Sequence, residues 1–461
     1  MEKLKNANRD IFEELPVPKA VMKMALPTIM GQLTVLVYNI ADTFYIGRTN
    51  NPCMVAGASL LLPVYNLCIA LSNLSGQGGG TVISRMLGRG ESEKAGQVSA
   101  FSYWFTVLLA LLMSILVAVF RDPLLRFLGA SDDVIGFAGQ YAFCVLVLGA
   151  VPTVSGMLLS TLLRSTGYAK QAGFGVTFGG IVNMVLDPLF MFVLLPRGSE
   201  VLGAGLATLL SNVLVNIYYI IVLRKLSAKT VLRFSPRLGV PEKSVLKSLF
   251  ITGMPSFVMN LGFDAFCLSV NRLMSAYGDI PLAAIGIVMK AERLPLNISI
   301  GICQGMIPII AYNYAAKNTQ RMHETLRFSR NTVLLISLGC ILLYQVTAPY
   351  IMRFFIAETG TVEYGTLFLR CRILGTPVMA MSVMHTFFFQ AVGKGGTALR
   401  LVFMRFFLFD LPFIFLLNML FGMYGIVFAQ LAGDGVTAII CFLVYRRYVK
   451  ATEKDGLQEA I

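Results

Sequence analysis

Charge is scarce in this chain of 461 residues: 13% of it is charged, about half the share of a soluble globular protein, and 56% is hydrophobic. Histidine is scarcer still, with only His323 and His385, too far apart for a metal or catalytic cluster. The eight cysteines (Cys53, Cys68, Cys144, Cys267, Cys303, Cys340, Cys371 and Cys441) form no C-x-x-C and no metal-ligand spacing. Most lie in apolar runs, where they read as small buried side chains. The first 19 residues are polar and lack a short apolar core with a small-residue cleavage site, which excludes a signal peptide. No His, Cys or Ser/Lys set is in place to run catalysis inside a membrane. The expectation is therefore not an enzyme, with no cofactor and no resident metal.

What the chain does contain is long apolar runs. Residues 101–120, 134–163, 331–352 and 411–433 carry no charge at all, and about 20 such residues cross hydrocarbon as a helix. Lipid offers no hydrogen bonds to a backbone, so only helices or closed barrels can span it, and alternating ten-residue strands are absent. The fold class expected is an all-α polytopic membrane protein. Twelve spans are expected at 20–47, 54–86, 95–120, 134–164, 170–195, 201–223, 248–277, 281–315, 329–351, 363–391, 398–420 and 423–445.

A net charge of +14 would suggest nucleic acid in a soluble protein, but positive-inside topology alone makes membrane chains basic. No nucleic-acid partner is expected. With the amino terminus inside, the cytoplasmic segments hold 27 Lys and Arg, and the outer loops hold only Arg48, Arg121, Arg126, Arg197 and Arg353. That imbalance predicts both termini in the cytoplasm.

The most basic connecting segment, 224–247, falls mid-chain, and a repeat is visible across it. Ala25-Leu26-Pro27-Thr28 answers to Gly253-Met254-Pro255-Ser256, and Gly76-Gln77-Gly78 to Cys303-Gln304-Gly305. The loop Gly88 to Lys94 answers to Ala315 to Arg321. Gly149 to Pro152 with Gly167 answers to Gly375 to Pro377 with Gly393. Asp187-Pro188 answers loosely to Asp410-Leu411-Pro412, and Gly203 to Thr208 answers to Gly425 to Gln430. The offset drifts only from 228 to 222 along the series. Six helices per copy bring the second half into the membrane in the same sense as the first. The two lobes are then related by a pseudo-two-fold axis along the membrane normal, around a central path suited to alternating access. The expected organisation is a cytoplasmic segment 1–19, an N-lobe 20–223, a cytoplasmic linker 224–247, a C-lobe 248–445 and a cytoplasmic tail 446–461, of which 451–461 is expected to lack regular structure.

Charge at mid-membrane costs about 2.5–3.5 kcal/mol on insertion scales, so each instance asks for a reason. In Ile181-Val182-Asn183-Met184-Val185-Leu186-Asp187-Pro188 a carboxamide and a carboxylate stand four residues apart, on one helix face. The proline frees a carbonyl at the same level. Asp42 follows Tyr38 by one turn in the first span, and Thr208 lies in the sixth. If these faces converge, Asp42, Asn183, Asp187 and Thr208 suit either a proton shared between carboxylates or a sodium ion held by oxygens. Alternatively, Asp42 could sit at a helix end and Asp187 could cap a half-helix.

In the second half, Asp264, Asp410 and Asp434 face a basic complement of Lys290, Arg293, Arg370, Arg372 and Arg405, with Glu292 beside them, and mutual pairing is the expectation. Met30, Met184 and Met289, with Tyr38 and Asp264, are candidates for an adaptable cavity that would take lipophilic organic cations.

These residues resemble the multidrug and toxic compound extrusion (MATE) family of cation-coupled antiporters, especially its bacterial MepA-like branch. The resemblance rests on Asp42-Thr43-Phe44-Tyr45-Ile46-Gly47, Pro63, Ser84 to Gly88, Arg164-Ser165-Thr166-Gly167, Asn183 to Pro188, Gly203 to Thr208, and Gln304 to Pro308 with Tyr312-Asn313. It spans nearly the whole chain. It implies a first-lobe cation site at Asp42, Asn183, Asp187 and Thr208, and export of cationic drugs and dyes in exchange for protons or sodium. It further implies a monomer in lipid, spanning the bacterial cytoplasmic membrane. Members with a second-lobe ion site use acids in the seventh and eighth spans, and Asp264 lies near such a position. A lipid-linked oligosaccharide flippase of the same superfamily is the alternative, and it should show a strongly basic cavity.

Overall fold

The computed structural model describes residues 10–49 and 51–458. The outermost parts of the expected terminal segments, 1–9 and 459–461, lie outside the described residues. Twelve long helical segments follow one another along the chain: α1 Val17–Gly47, α2 Pro52–Gly88, α3 Ser92–Val119, α4 Asp132–Ser165, α5 Ala169–Leu194 and α6 Glu200–Lys225. The second set is α7 Lys243–Tyr277, α8 Asp279–Ala315, α9 Thr319–Phe355, α10 Thr359–Ala391, α11 395–421 and α12 423–458. Gly422, at φ 59° and ψ −141°, divides the last two.

The breaks have local causes. α4 bends by 50° at Gly149 and α10 by 45° before Thr376, each beside a proline that removes a backbone donor. Helix starts are capped where a side chain can accept from an orphan N–H. Asn51 accepts from Cys53, Asn318 from Arg321 and Glu358 from Thr361, at 3.0, 3.1 and 3.1 Å.

The repeat is visible in the backbone. Gly167 (φ 89°) and Gly393 (φ 77°) make the same left-handed turn in the two halves. Gly90 (φ 77°) is answered by Lys317 (φ 59°), the one non-glycine residue among those described with a positive φ.

Two corrections concern the ends. Ile11 and Phe12 are buried, because residues Asp10–Glu14 form a turn packed against α8 and α9. Phe12 stacks on Tyr312, and Arg321 donates to the carbonyls of Ile11, Phe12 and Leu15. At the other end the last helix continues to Gln458 instead of stopping at 445. A nucleated helix extends at low cost, and no proline stands there to stop it.

Helices α1–α6 form one lobe and α7–α12 the other, meeting along α1 with α8 and α2 with α7. The meeting is tight on the face where α1 begins and α12 ends. Gly78 lies against Gly253, Gly305 against Ala25 and Gly88 against Tyr312, small residues that let backbones approach. Gln32 of α1 reaches Gln304 of α8 at 3.5 Å. Farther along the same face of α1, Asn39 and Thr43 are exposed. Polar side chains exposed inside a spanning segment line water and not lipid, so the lobes part above Gln32 into a cleft open on the far side. A hydrogen bond from Asn66 of α2 to Asp264 of α7, at 2.9 Å, joins the lobes at the cleft.

Candidate functional site

The N-lobe site is built on α5. Gly180 leaves room for α1 at the level of Thr34, whose methyl would stand 2.6 Å from an added Cβ. That close approach sets Tyr38 and Asp42 of α1 beside the Asn183–Asp187 face of α5. Asn183 donates from one amide nitrogen to Asp187 Oδ1 at 3.3 Å and to Thr208 Oγ1 of α6 at 3.4 Å. Asp42 and Asp187 are close enough for their charges to interact. The four residues expected from the sequence, Asp42, Asn183, Asp187 and Thr208, are thus brought together.

Asp187 is fully buried, and its Oδ2 has no hydrogen-bond partner among the described residues; Asp42 Oδ1 is in the same position. Asp187 is thus fully buried and Asp42 half-buried, each with one buried oxygen lacking a hydrogen-bond partner, and no basic side chain pairs with either among the described residues. Among the described residues no group of three His, Cys, Asp or Glu could hold a metal ion. Asp187 does not cap a half-helix. The chain passes through Pro188 and continues as a π-turn over Leu189–Leu194, a distortion that recurs at functional sites.

A cavity of about 80 Å³ adjoins this cluster, lined by Tyr38, Tyr65, Asn183, Thr208 and Asn212 among others. Tyr65 lies beside Tyr38, and Tyr141 beside Thr208. The tyrosines at 65 and 141 were not singled out in the sequence. Their only signal was an aromatic residue within an apolar run, which is ordinarily packing.

A larger cavity of about 200 Å³ lies where α2 meets the C-lobe, lined by Asn73, Gln77, Asn260, Phe263, Arg293 and Arg405 among others. Of the five cavity candidates named from the sequence, Tyr38 lines the smaller cavity, and the other four line neither. Met289 packs against the C-lobe core, Met30 is exposed, Met184 is half-buried and Asp264 is held by Asn66. Spacing along a helix places a methionine on a face but does not say which face looks inward.

Two sets of C-lobe charges pair, Arg372 with Glu292 and Arg405 with Asp434 and Asp410, while Asp264, Lys290, Arg293 and Arg370 form no ion pair among the described residues. Arg372 makes two bonds to Glu292, at 2.7 and 2.8 Å, and a further one to Gln430. Arg405 lies 2.8 Å from Asp434 and 3.6 Å from Asp410.

The MatE family model matches the chain twice, over residues 27–189 and 255–416, which is more than half of it and coincides with the repeat. The chain belongs to the MatE family. Relatives include the multidrug export protein MepA of Staphylococcus aureus (strain N315), 29% identical over 433 residues, with 94% of each chain covered. The protein of the same name from Staphylococcus haemolyticus (strain JCSC1435) is 28% identical over 435 residues. The fold matches a MATE crystal structure in complex with MaL6 at a TM-score of 0.90 and 24% identity, covering 97% of this chain and 99% of that one. It also matches an outward-facing multidrug resistance MATE transporter of the MOP superfamily, at 0.89 and 24% with the same coverage. As in other MatE members, the chain folds as a multi-pass membrane protein of twelve helices in two lobes.

Proposed function

We propose that this MatE member exports lipophilic cationic drugs and dyes by alternating access, in exchange for a cation bound at Asp42, Asn183, Asp187 and Thr208. The observation that carries the reading is the interacting pair of Asp187, fully buried, and Asp42, half-buried, each with a buried unpartnered oxygen and with no basic side chain paired to either among the described residues. Empty, the pair repels itself; a bound proton or sodium ion removes the repulsion, so occupancy sets how the lobe prefers to pack. The multidrug export proteins among its relatives support the substrate class.

Protons fit the rotamer better than sodium. Asn183 turns its amide nitrogen, a donor, toward both Asp187 and Thr208, as a carboxylate and a hydroxyl acceptor require. Sodium remains the alternative, because a flipped amide would offer an oxygen instead. Both termini are assigned to the cytoplasm, so that the cleft opens outward, and the protein is assigned to the bacterial cytoplasmic membrane as a monomer in lipid.

The flippase reading gains one observation, Arg293, which lines the larger cavity and stacks on Phe263. Arg405 in the same wall already faces two carboxylates.

Ethidium accumulation in energised cells tests the proposal, with wild type and Asp187→Asn at matched membrane levels. Export by the wild type that Asp187→Asn loses supports it, and collapse of the pH or the sodium gradient names the ion. Equal export by both removes the N-lobe carboxylate from transport. No export by either, with lipid-precursor flipping instead, establishes the flippase.

A further inference from the structure

The C-lobe carries a carboxylate at the repeat of Asp187, with a guanidinium beside it. Asp187 corresponds to Asp410 at an offset of 223, and Asn212 to Asp434 at the 222 that relates Thr208 to Gln430. Met404–Asp410 is a π-turn, in which residues five apart share a side as residues four apart do in an α-helix. Arg405 and Asp410 are thereby set together as Asn183 and Asp187 are, and Gly433 of α12 packs against Asp410.

The set holds one more acid than base. Asp434 is fully buried, Asp410 is 2% exposed and Arg405 4% exposed. Asp410 Oδ1 and Asp434 Oδ2 are buried with no hydrogen-bond partner among the described residues. The charged groups facing the pair are Arg405 on α11 and Arg372 of α10, and Cys441 lies along α12. Arg372 is already bonded to Glu292 of α8. Arg405 also lines the larger cavity, where Arg293 of α8 is its neighbour.

We propose that Asp410 and Asp434 are a second proton site, and that Arg405 couples it to the occupant of the larger cavity. This rests on the exchange reading above. With both acids ionised the set would bear an uncompensated buried negative charge, so one carboxyl keeps its proton while the cavity is empty. A lipophilic cation entering the cavity repels the Arg405 guanidinium toward the carboxylates and adds its own field. Both effects favour the doubly ionised pair, and the O–H bond breaks with the proton passing to cleft water. The sign is that of an antiporter: cation on, proton off.

The test is proton release from purified, detergent-solubilised protein on adding tetraphenylphosphonium, read with a pH indicator in weak buffer. Asp410→Asn leaves a matched Arg405–Asp434 pair, and Asp434→Asn a matched Arg405–Asp410 pair, so each mimics the protonated set; size-exclusion profiles and tetraphenylphosphonium affinity are measured beside the release. The expected result is that each variant binds the cation and releases one proton fewer than wild type, and that Asp187→Asn retains the C-lobe proton. Unchanged release from Asp410→Asn and Asp434→Asn, with release abolished by Asp187→Asn, overturns the C-lobe site and leaves the exchange reading intact. Sodium-sensitive export with no proton release from wild type overturns the C-lobe site as well. Absence of both export and release overturns the exchange reading itself.

Discussion

Two carboxylate pairs stand in the two halves of one chain, sharing the repeat position of Asp187 and Asp410, and the side chains beside them differ. In the N-lobe an asparagine lies between helix partners, and Asp42 and Asp187 have no basic neighbour within hydrogen-bonding reach among the described residues. In the C-lobe Arg405 is 2.8 Å from Asp434. One pair thus has no tethered counter-charge among the described residues, and the other has one. A neutral amide makes a pair exchangeable, and a guanidinium, which does not deprotonate in proteins, makes it largely permanent.

The harshest way to break that difference is to impose the C-lobe solution on the N-lobe. Asn183→Arg places a fixed cation between Asp42 and Asp187. Ethidium export should fall to the level of cells without the protein, while the purified variant keeps its size-exclusion profile, since the buried charges are then better matched than before. Export at even a tenth of the wild-type rate would show that no exchangeable cation is needed at this site.

The converse change should unfold rather than convert. Arg405→Gln leaves Asp410 and Asp434 buried with only Arg372, already bonded to Glu292, as a positive neighbour, a loss of about 3–5 kcal/mol for a broken buried pair. The melting temperature followed by intrinsic fluorescence should drop sharply, and adding Asp434→Asn should recover most of it. A stable Arg405→Gln alone would mean that water or a bound ion already screens the pair.

How far the sequence carried this comparison can be argued from particular residues. The convergence of Asp42, Asn183, Asp187 and Thr208 was legible because intramembrane polar groups are rare and i, i+4 spacing fixes a face. The pairing of Arg372 with Glu292 and of Arg405 with Asp410 and Asp434 was legible from their mixed signs, whereas Asp264, Lys290, Arg293 and Arg370 form no ion pair among the described residues. That Arg405 would stand beside Asp410 was hidden, because the π-turn over Met404–Asp410 brings residues five apart together and no residue type announces a π-turn. Docking of Phe12 on Tyr312 was hidden for another reason. It depends on a contact some three hundred residues apart, whereas the local composition of the amino terminus reads as solvated.

A smaller effect separates the packing of the two pairs. Gly433 has Asp410 Cα and N within 3.2 Å of the position of an added Cβ, so α12 cannot retreat without disturbing the Asp410–Arg405–Asp434 set. Gly433→Ala should cost about 1–3 kcal/mol, the range for overpacking a core. Thermal melting is the check. Ser211 holds the corresponding position in the N-lobe at the offset of 222, and Ser211→Ala there should be nearly silent.

The smallest expected effect bears on which ion the N-lobe takes. Thr208 Oγ1 accepts from Asn183 at 3.4 Å and lies beside Tyr141. Thr208→Val keeps the shape and removes the hydroxyl. If the bound cation is a proton on Asp42 or Asp187, Thr208 only orients Asn183, and losing one hydrogen bond costs about 1 kcal/mol, roughly a fivefold lower rate of dye export. The pH dependence should keep its form, because the carboxylates that carry the proton are untouched. If the cation is sodium, the hydroxyl is one of few oxygen ligands, and its removal should instead raise the sodium concentration needed for half-maximal export while the rate at saturating sodium recovers. Dye export by Thr208→Val measured against pH at fixed sodium, and against sodium at fixed pH, therefore distinguishes a group that aims a neighbour from one that binds the ion.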